Sequence, residues 1–506
     1  MISKFKNKYI KKLPNKKPVS EDYYRRKIGV EEETLPTDSN ILKASLNKIF
    51  EHSADFRTRT IGLPSGQTVY LYYIEGLNDK ERLEANVIRP LVHLTEQENK
   101  EVIDSVDEVI YGINYIEPKS WKELIDYCLS GYIICHIENR LPVVLSLQKV
   151  EKRSLSEPTT EQQVYGPKIG FVEDSRTNVV LLRKYIKDPR LCVKEYQVGS
   201  MSATSVAVVY LDEYVDEELL NKIDEKIKGY QNDQLFVSNT LTLSIVERPL
   251  SLFPQVQKSE RPDQAAFALG QGKVIIIVDN STFCHIVPTT LFSFYEKSDD
   301  NDIGSVWNLT FLRLLRFISL IVATTFPALY VSLVAFHPEM IPTTLALTMA
   351  ESRNNIPFPA AVEAVMMMFA LDVLVEASIR LPHFIGQTIG IVGGLVIGQA
   401  AVEAGIISST MVIVIAFTAI AAFTSPSWEM TGSWRIVRYL LLFFASIFGL
   451  YGLTIGICLL LMHLCALTSF NKPYFSPLTP FNPKELLDGV LRLKTQSNKK
   501  KGEQIR

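Results

Sequence analysis

Charge is distributed so unevenly along this 506-residue chain that it constrains the fold more than any motif does. Residues 306–480 hold 7 of the 53 Lys and Arg and 7 of the 55 Asp and Glu, and residues 481–506 hold 7 and 3. The other 39 basic and 45 acidic residues lie in 1–305, where no basic excess points to nucleic acid. Uncharged stretches run from Phe317 to Pro338 (22 residues), Leu381 to Val402 (22), Ala404 to Trp428 (25) and Tyr439 to Asn471 (33, with His463 neutral). Each is long enough to cross about 30 Å of hydrocarbon at about 1.5 Å per residue. A wholly soluble protein is excluded, and so is a membrane protein without a large water-soluble part.

Val362 to Leu381 is a fifth apolar segment, but it carries Glu363, Asp372, Glu376 and Arg380. Its aliphatic and aromatic residues favour insertion by about 3–5 kcal/mol, whereas Asp372 and Glu376 each oppose it by about 2.5–3.5 kcal/mol. Asp372, Glu376 and Arg380 are four apart and share a helical face, so they can pair with one another, lie along an interface or line a wet cavity. Gly386, Gly390, Gly394 and Gly398 recur every fourth residue and form a face for close helix packing, either within one subunit or between copies around a pore. Gln387, Gln399 and Glu403 place polar groups near the ends of that segment. Four full spans plus the charged segment are expected. Arg313 and Arg316 before the first span, with no signal peptide ahead of a large domain, predict a cytosolic N-terminal region.

That N-terminal region matches itself. Tyr72 to Leu83 aligns with Val209 to Leu220 at an offset of 137, and Ser130 to Asn139 aligns with Gln271 to Asn280 at an offset of 141. Both blocks read as a strand entering a helix followed by a hairpin turned at Asn, which predicts two related α/β subdomains. Asp174 or Ser175 is expected to cap a helix through Arg183 and Lys184, and Pro262 to open one before a strand at Val274 to Val278.

Residues with obvious chemistry are scarce. No HExxH, Walker A, GxSxG or GxGxxG stands in a supporting context, so protease, nucleotide-driven and hydrolase readings lack their residues. Cys128, Cys135, Cys192, Cys284, Cys458 and Cys465 have no CxxC spacing and are expected as free thiols. Cys135-His136 and Cys284-His285 are poor chelates, because neighbours on a strand point to opposite faces. No enzymatic activity, cofactor or metal is expected. His463 is either hydrogen-bonded to a neighbouring helix or functional.

The run Gly170-Phe171-Val172-Glu173-Asp174 with Thr177-Asn178 and Leu181-Leu182-Arg183 resembles the A subunits of GerA-type spore germination receptors. So do Phe253-Pro254-Gln255, Glu260-Arg261-Pro262-Asp263, Ile356-Pro357-Phe358-Pro359, Arg380-Leu381-Pro382, Ile391 to Val402 and Pro473-Tyr474-Phe475-Ser476-Pro477-Leu478. The resemblance covers roughly residues 170–480. It implies a multi-pass protein of the spore inner membrane that acts with a transporter-like B subunit and a lipoprotein C subunit in nutrient-triggered germination, A subunits being proposed to form an ion-conducting ring.

The expected fold class is an α/β tandem-repeat cytosolic region followed by an all-α polytopic membrane domain. Its parts are a basic arm (1–39), a first subdomain (40–150), a linker (151–177), a second subdomain (178–295), a transmembrane domain (306–480) and a basic tail (481–506). Glu363, Asp372, Glu376 and Glu403 are the candidate ion path, and Gly386, Gly390, Gly394 and Gly398 the candidate packing or pore-assembly face. A homo-oligomer in contact with membrane lipids is expected. A non-conducting scaffold and a secondary transporter are the alternatives, although no inverted repeat of the membrane segments is visible.

Overall fold

The computed structural model describes residues 19–29, 34–63, 67–92, 113–149, 157–158, 161, 166–296, 306–382, 385–386, 393–394, 398–483 and 486. The chain divides into two compact units, Met1–Pro249 with Val256–Pro288, and Leu250–Gln255 with Thr289–Arg506.

Two five-stranded sheets organise the first unit. One holds β1 (Phe56–Gly62), β2 (Thr68–Ile74), β3 (Tyr115–Ile116), β4 (Ile133–Ile137) and β5 (Val143–Leu145) in the order β1-β2-β4-β5-β3. The other holds β6 (Leu191–Val198), β7 (Thr204–Leu211), β8 (Gln257–Ser259), β9 (Val274–Val278) and β10 (Cys284–Val287) in the corresponding order β6-β7-β9-β10-β8. Every pairing is antiparallel. The expected α/β label is thereby corrected to mixed α+β: neighbouring strands run in opposite directions, so no right-handed crossover between parallel strands is needed.

Strand periodicity accounts for the cores. Tyr72, Ile74, Ile134 and Val144 face helices α1 (Glu21–Ile28), α2 (Ser39–Ile49) and α3 (Trp121–Leu129), burying Tyr24, Leu46, Trp121 and Leu124. Their strand neighbours Leu71, Ile133 and Cys135 point the other way and pack on Leu83, Val87 and Leu91. In the second sheet, α4 (Ser175–Tyr185) brings Leu182 onto Val209 and Ile275. Asp174 caps α4 by accepting a hydrogen bond from Thr177 N, and Asp216 caps α5 (Glu217–Lys228) in the same way from Glu218 N. Pro262 opens α6 (Pro262–Gly270), where its missing N–H has no helical partner to lose. Positions matched between the halves adopt the same backbone: Asn139 and Asn280 have φ of 67° and 61°, Gly131 and Gly272 φ of 90° and 79°. A Cβ at Gly272 would overlap the Tyr214 carbonyl.

A buried ion pair ties the halves of this unit together. Ala54 N donates to Val193 O (2.9 Å) and Val193 N to His52 O (3.0 Å), adding the chain before β1 to the edge strand β6. Beside it, Arg183 of α4 makes two 2.8 Å hydrogen bonds to the Asp55 carboxylate, with side chains 1% and 7% exposed.

The second unit is helical: α7 (Val306–Phe336), α8 (Thr343–Arg353), α9 (Ala360–Arg380), α10 (Ser409–Ala422) and α11 (Trp428–Ala466). By length and composition α7 and α11 are apolar enough to cross a membrane. α11 does not run straight. Gly449 leaves helical geometry (φ 57°, ψ −136°), and the Phe253 ring lies 5.0 Å from Trp434 and 6.0 Å from His463. In a straight helix those two residues would be about 43 Å apart. The chain therefore folds back at Gly449, with Gly456 set against Leu441 and no room for a Cβ at Gly449 beside Phe336. The single crossing expected over Tyr439–Asn471 is replaced by two limbs, because 33 uncharged residues exceed one bilayer thickness and a glycine at the reversal tolerates positive φ. The stretch 404–428 forms the 14-residue α10 and the first residue of α11. Residues 383–384, 387–392 and 395–397 of the stretch 381–402 lie outside the described residues.

Asp55→Ala leaves a buried guanidinium without its carboxylate and is expected to cost about 3–5 kcal/mol. Denaturant unfolding of the purified protein measures this. The double variant Asp55→Ala, Arg183→Met should be less destabilised than the sum of the two single changes.

Candidate functional site

α9 carries three of the four candidate acids. It begins after Pro359 and stops at Leu381, whose φ/ψ is extended because Pro382 follows. Its acids have unlike surroundings. Glu363 is fully buried: Arg353 Nη2 lies 3.1 Å from Oε1, and Oε2 accepts hydrogen bonds from Ser408 N (3.0 Å) and Ser408 Oγ (2.9 Å). Ser408 is itself the N-cap of α10, so this carboxylate anchors one helix start to another helix.

Asp372 faces α11. Its Oδ1 lies 3.3 Å from Arg438 Nη2 and 3.4 Å from Arg435 Nε, and its Oδ2 accepts from Tyr439 OH at 2.7 Å. Glu376 pairs instead with Arg380 one turn on (2.7 Å), and both are exposed, with 51% and 76% of their side chains accessible. Glu403 is exposed and accepts from Gln399 Nε2 at 2.9 Å. Spacing places Asp372, Glu376 and Arg380 on one face, yet only the last two bond to each other. The described structure thus separates two arginine-held acids, Glu363 buried and Asp372 partly so, from two exposed ones.

The glycines also divide. A Cβ at Gly386 would meet the Ser378 carbonyl at 2.6 Å, and one at Gly398 would touch Val412 at 3.8 Å, whereas one at Gly394 would meet nothing within 4 Å. Gly390 lies outside the described residues. Gly393, absent from the four-residue pattern, also packs on α9, where an added Cβ would lie 2.7 Å from Leu374. Sequence reading also missed Arg353, Ser408, Arg435, Arg438 and Tyr439 as partners. The one available signal was that Arg438 and Tyr439 border the longest uncharged run.

His463 Nε2 lies 3.2 Å from Ser251 Oγ, and the neighbouring Phe253 ring packs on Trp434 and, at 6.4 Å, on Tyr474. The stretches Phe253-Pro254-Gln255 and Pro473-Tyr474-Phe475 therefore meet in one aromatic cluster, where Ser469 Oγ donates to Gln255 O at 2.8 Å. Cys135 and His136 point apart: burial pushes the Cys135 thiol up to about 12, and His136 Nε2 lies 2.8 Å from Arg140 O. Among the described residues no group of three or more His, Cys, Asp or Glu is placed to hold a metal.

A cleft of about 510 Å³ opens in the first unit, lined among others by Glu75, Lys80, Lys149, Asp174, Arg176 and Thr177. Glu75 accepts hydrogen bonds from Lys80 Nζ and Arg57 Nε, both at 2.9 Å. The Lys80 bond, opposed by partial burial and aided by Arg57, holds the Glu75 carboxyl down at about 2.

The chain matches the family model for the Bacillus/Clostridium GerA spore germination protein over residues 44–504. It is 35% identical over 470 residues to spore germination protein KA of Bacillus subtilis (strain 168), covering 91% of this chain and 86% of that one. With spore germination protein B1 of the same strain it shares 37% over 439 residues, covering 86% and 90%. With spore germination protein GerLA of Bacillus cereus it shares 34% over 443 residues, covering 87% and 90%. The crystal structure of the N-terminal domain of the A subunit of the Bacillus megaterium spore germinant receptor GerK3 aligns with 50% of this chain and 95% of its own, at 20% identity and a TM-score of 0.38.

Because the Glu75 carboxyl is lowered on folding, its stabilising contribution is full above about pH 4.5 and is lost as pH falls through about 2. Thermal melts of wild type between pH 5 and 2 should show a steeper acid loss than those of Glu75→Gln; equal slopes would remove Glu75 as the cause.

Proposed function

The chain belongs to the Bacillus/Clostridium GerA family of spore germination proteins, and on that premise we propose that it is the A subunit of a germinant receptor, contributing to an oligomeric, nutrient-gated cation path in the spore inner membrane. It works there with a transporter-like B subunit and a lipoprotein C subunit, and its N-terminal unit is cytosolic. The exposed face of α9 carries this reading. Phe369, Val373, Glu376 and Arg380 lie at helical spacing on one side, with Phe369 64% and Val373 52% exposed. Such a stripe calls for lipid or another copy, and the carboxylate near its end needs water or a partner.

Within this reading Glu376 and Glu403 supply the negative charge that attracts cations when copies assemble, because they are the accessible acids. Glu363 and Asp372 hold the helices that present them. Gly394, open in the single chain, faces the neighbouring copy. The acidic lining, rather than an inverted repeat, favours a path over a secondary transporter.

The cleft in the first unit favours a second reading, in which that unit binds a small polar solute between its two halves. Calorimetric titration of the purified protein with germinating nutrients should then give saturable heat that Lys149→Ala with Arg176→Ala removes; heat unchanged by that pair would end it.

Glu376→Gln combined with Glu403→Gln should slow cation release on nutrient exposure several-fold in spores with normal receptor abundance. Unchanged flux and selectivity would reject these acids as the path. Cation leak through liposomes carrying this protein alone separates a conducting ring from a scaffold.

A further inference from the structure

A second concavity lies in the helical unit, and its chemistry is opposite to that of an acidic pore. It is a cavity of about 40 Å³, which at roughly 10–15 Å³ per water has room for about three or four oxygen-sized groups. Arg316, Arg435 and Arg438 line it, and Asp372 is the one carboxylate among its described lining residues. Both oxygens of Asp372 are already engaged, Oδ1 by the two α11 guanidinium groups and Oδ2 by Tyr439.

Three buried lining groups have no partner at strict hydrogen-bond geometry: Arg438 Nε, and the Trp434 indole N–H and Tyr295 hydroxyl, which lie close enough to interact with each other and with Ser425. Their residues are 4%, 9% and 3% exposed. Two of these atoms can only donate and the third donates readily, so the cavity lacks an acceptor rather than a cation. Orphaned buried donors beside guanidinium groups cost free energy until an anion arrives.

The position indicates which anion. Arg316 immediately precedes the uncharged run of α7, and Arg438 that of α11, so the cavity sits where both helices stop carrying charge. Trp428 and Trp434 line the same cavity, and aromatic and basic residues gather in this way at a headgroup layer. Leu320, Ala323, Leu371 and Val375 also line the cavity and suit a glycerol or acyl stem. We propose that this cavity binds a phosphate group, whether the headgroup phosphate of an anionic lipid or a free phosphate ion, through Arg435, Arg438, Trp434 and Tyr295. The lipid source rests on the reading that α7 and α11 cross a bilayer; the phosphate chemistry does not.

The test uses the full chain, purified in non-ionic detergent without phosphate, and follows its melting midpoint on titration. The probes are dihexanoyl-phosphatidylglycerol, inorganic phosphate and dihexanoylglycerol, which lacks the phosphate. A saturable rise with the phospholipid alone identifies the lipid headgroup, and a comparable rise with inorganic phosphate identifies the free ion. Trp434→Phe and Tyr295→Phe remove one donor each while keeping the ring, and should weaken binding about fivefold; Arg435→Gln should weaken it about tenfold or more. Equal effects of dihexanoylglycerol and the phospholipid, no saturable rise with either phosphate probe, or unchanged affinity in all three variants that melt cooperatively would overturn the proposal. Because the readout is binding to purified protein, failure here leaves the cation-path reading untouched, and failure of ion flux leaves this one standing.

Discussion

An ionised group in an apolar helical unit is tolerable only beside a compensating charge or donor, and the helical half of this protein is arranged around that constraint. Its few charges are spent as pairs between elements distant in sequence. Glu363 joins α9 to Arg353 and to the start of α10, and Asp372 joins α9 to α11 across more than sixty residues. Helices that share little polar surface are held in register by these contacts, since apolar faces alone permit sliding and rotation. Glu376 and Glu403 take no part in these contacts between helices: each is exposed and bonds only a residue four positions away, Arg380 and Gln399.

The same logic operates in the mixed unit in a different medium. Asp55 and Arg183 are almost completely buried, and their bidentate geometry fixes the angle between the segment before β1 and helix α4. Around that contact the two sheets repeat one strand order and one set of left-handed turn residues, so the cleft between the halves is a product of how two similar modules are joined rather than of either module.

Much of the local structure was legible from residues alone. Asp174, Pro262 and the paired asparagines declare a cap, a helix start and two hairpin turns through short-range chemistry that needs no distant partner. The two hairpin turns fix β4 against β5 and β9 against β10 as antiparallel, but the sense of the remaining pairings was not legible, because a strand–helix alternation is compatible with either direction until the pairing is known. Nor was the reversal at Gly449. Hydropathy counts apolar residues without registering that Gly449, Gly452 and Gly456 let two limbs touch. The partners of the four acids escaped for a related reason: spacing along a helix reveals i, i+4 neighbours such as Glu376 and Arg380, while Asp372 meets groups brought by another helix.

What the sequence determined by itself was the partition into a charged half and an apolar half and the types of most secondary elements. These follow from residue-level transfer free energies and from hydrogen bonds within a few residues. Only the tertiary structure decided which carboxylates are paired between helices, where the longest apolar run turns back, and which buried donors line one cavity. Each of those outcomes depends on the rotation of one helix about its axis against another, a quantity set by side-chain packing across the whole unit and written in no single segment.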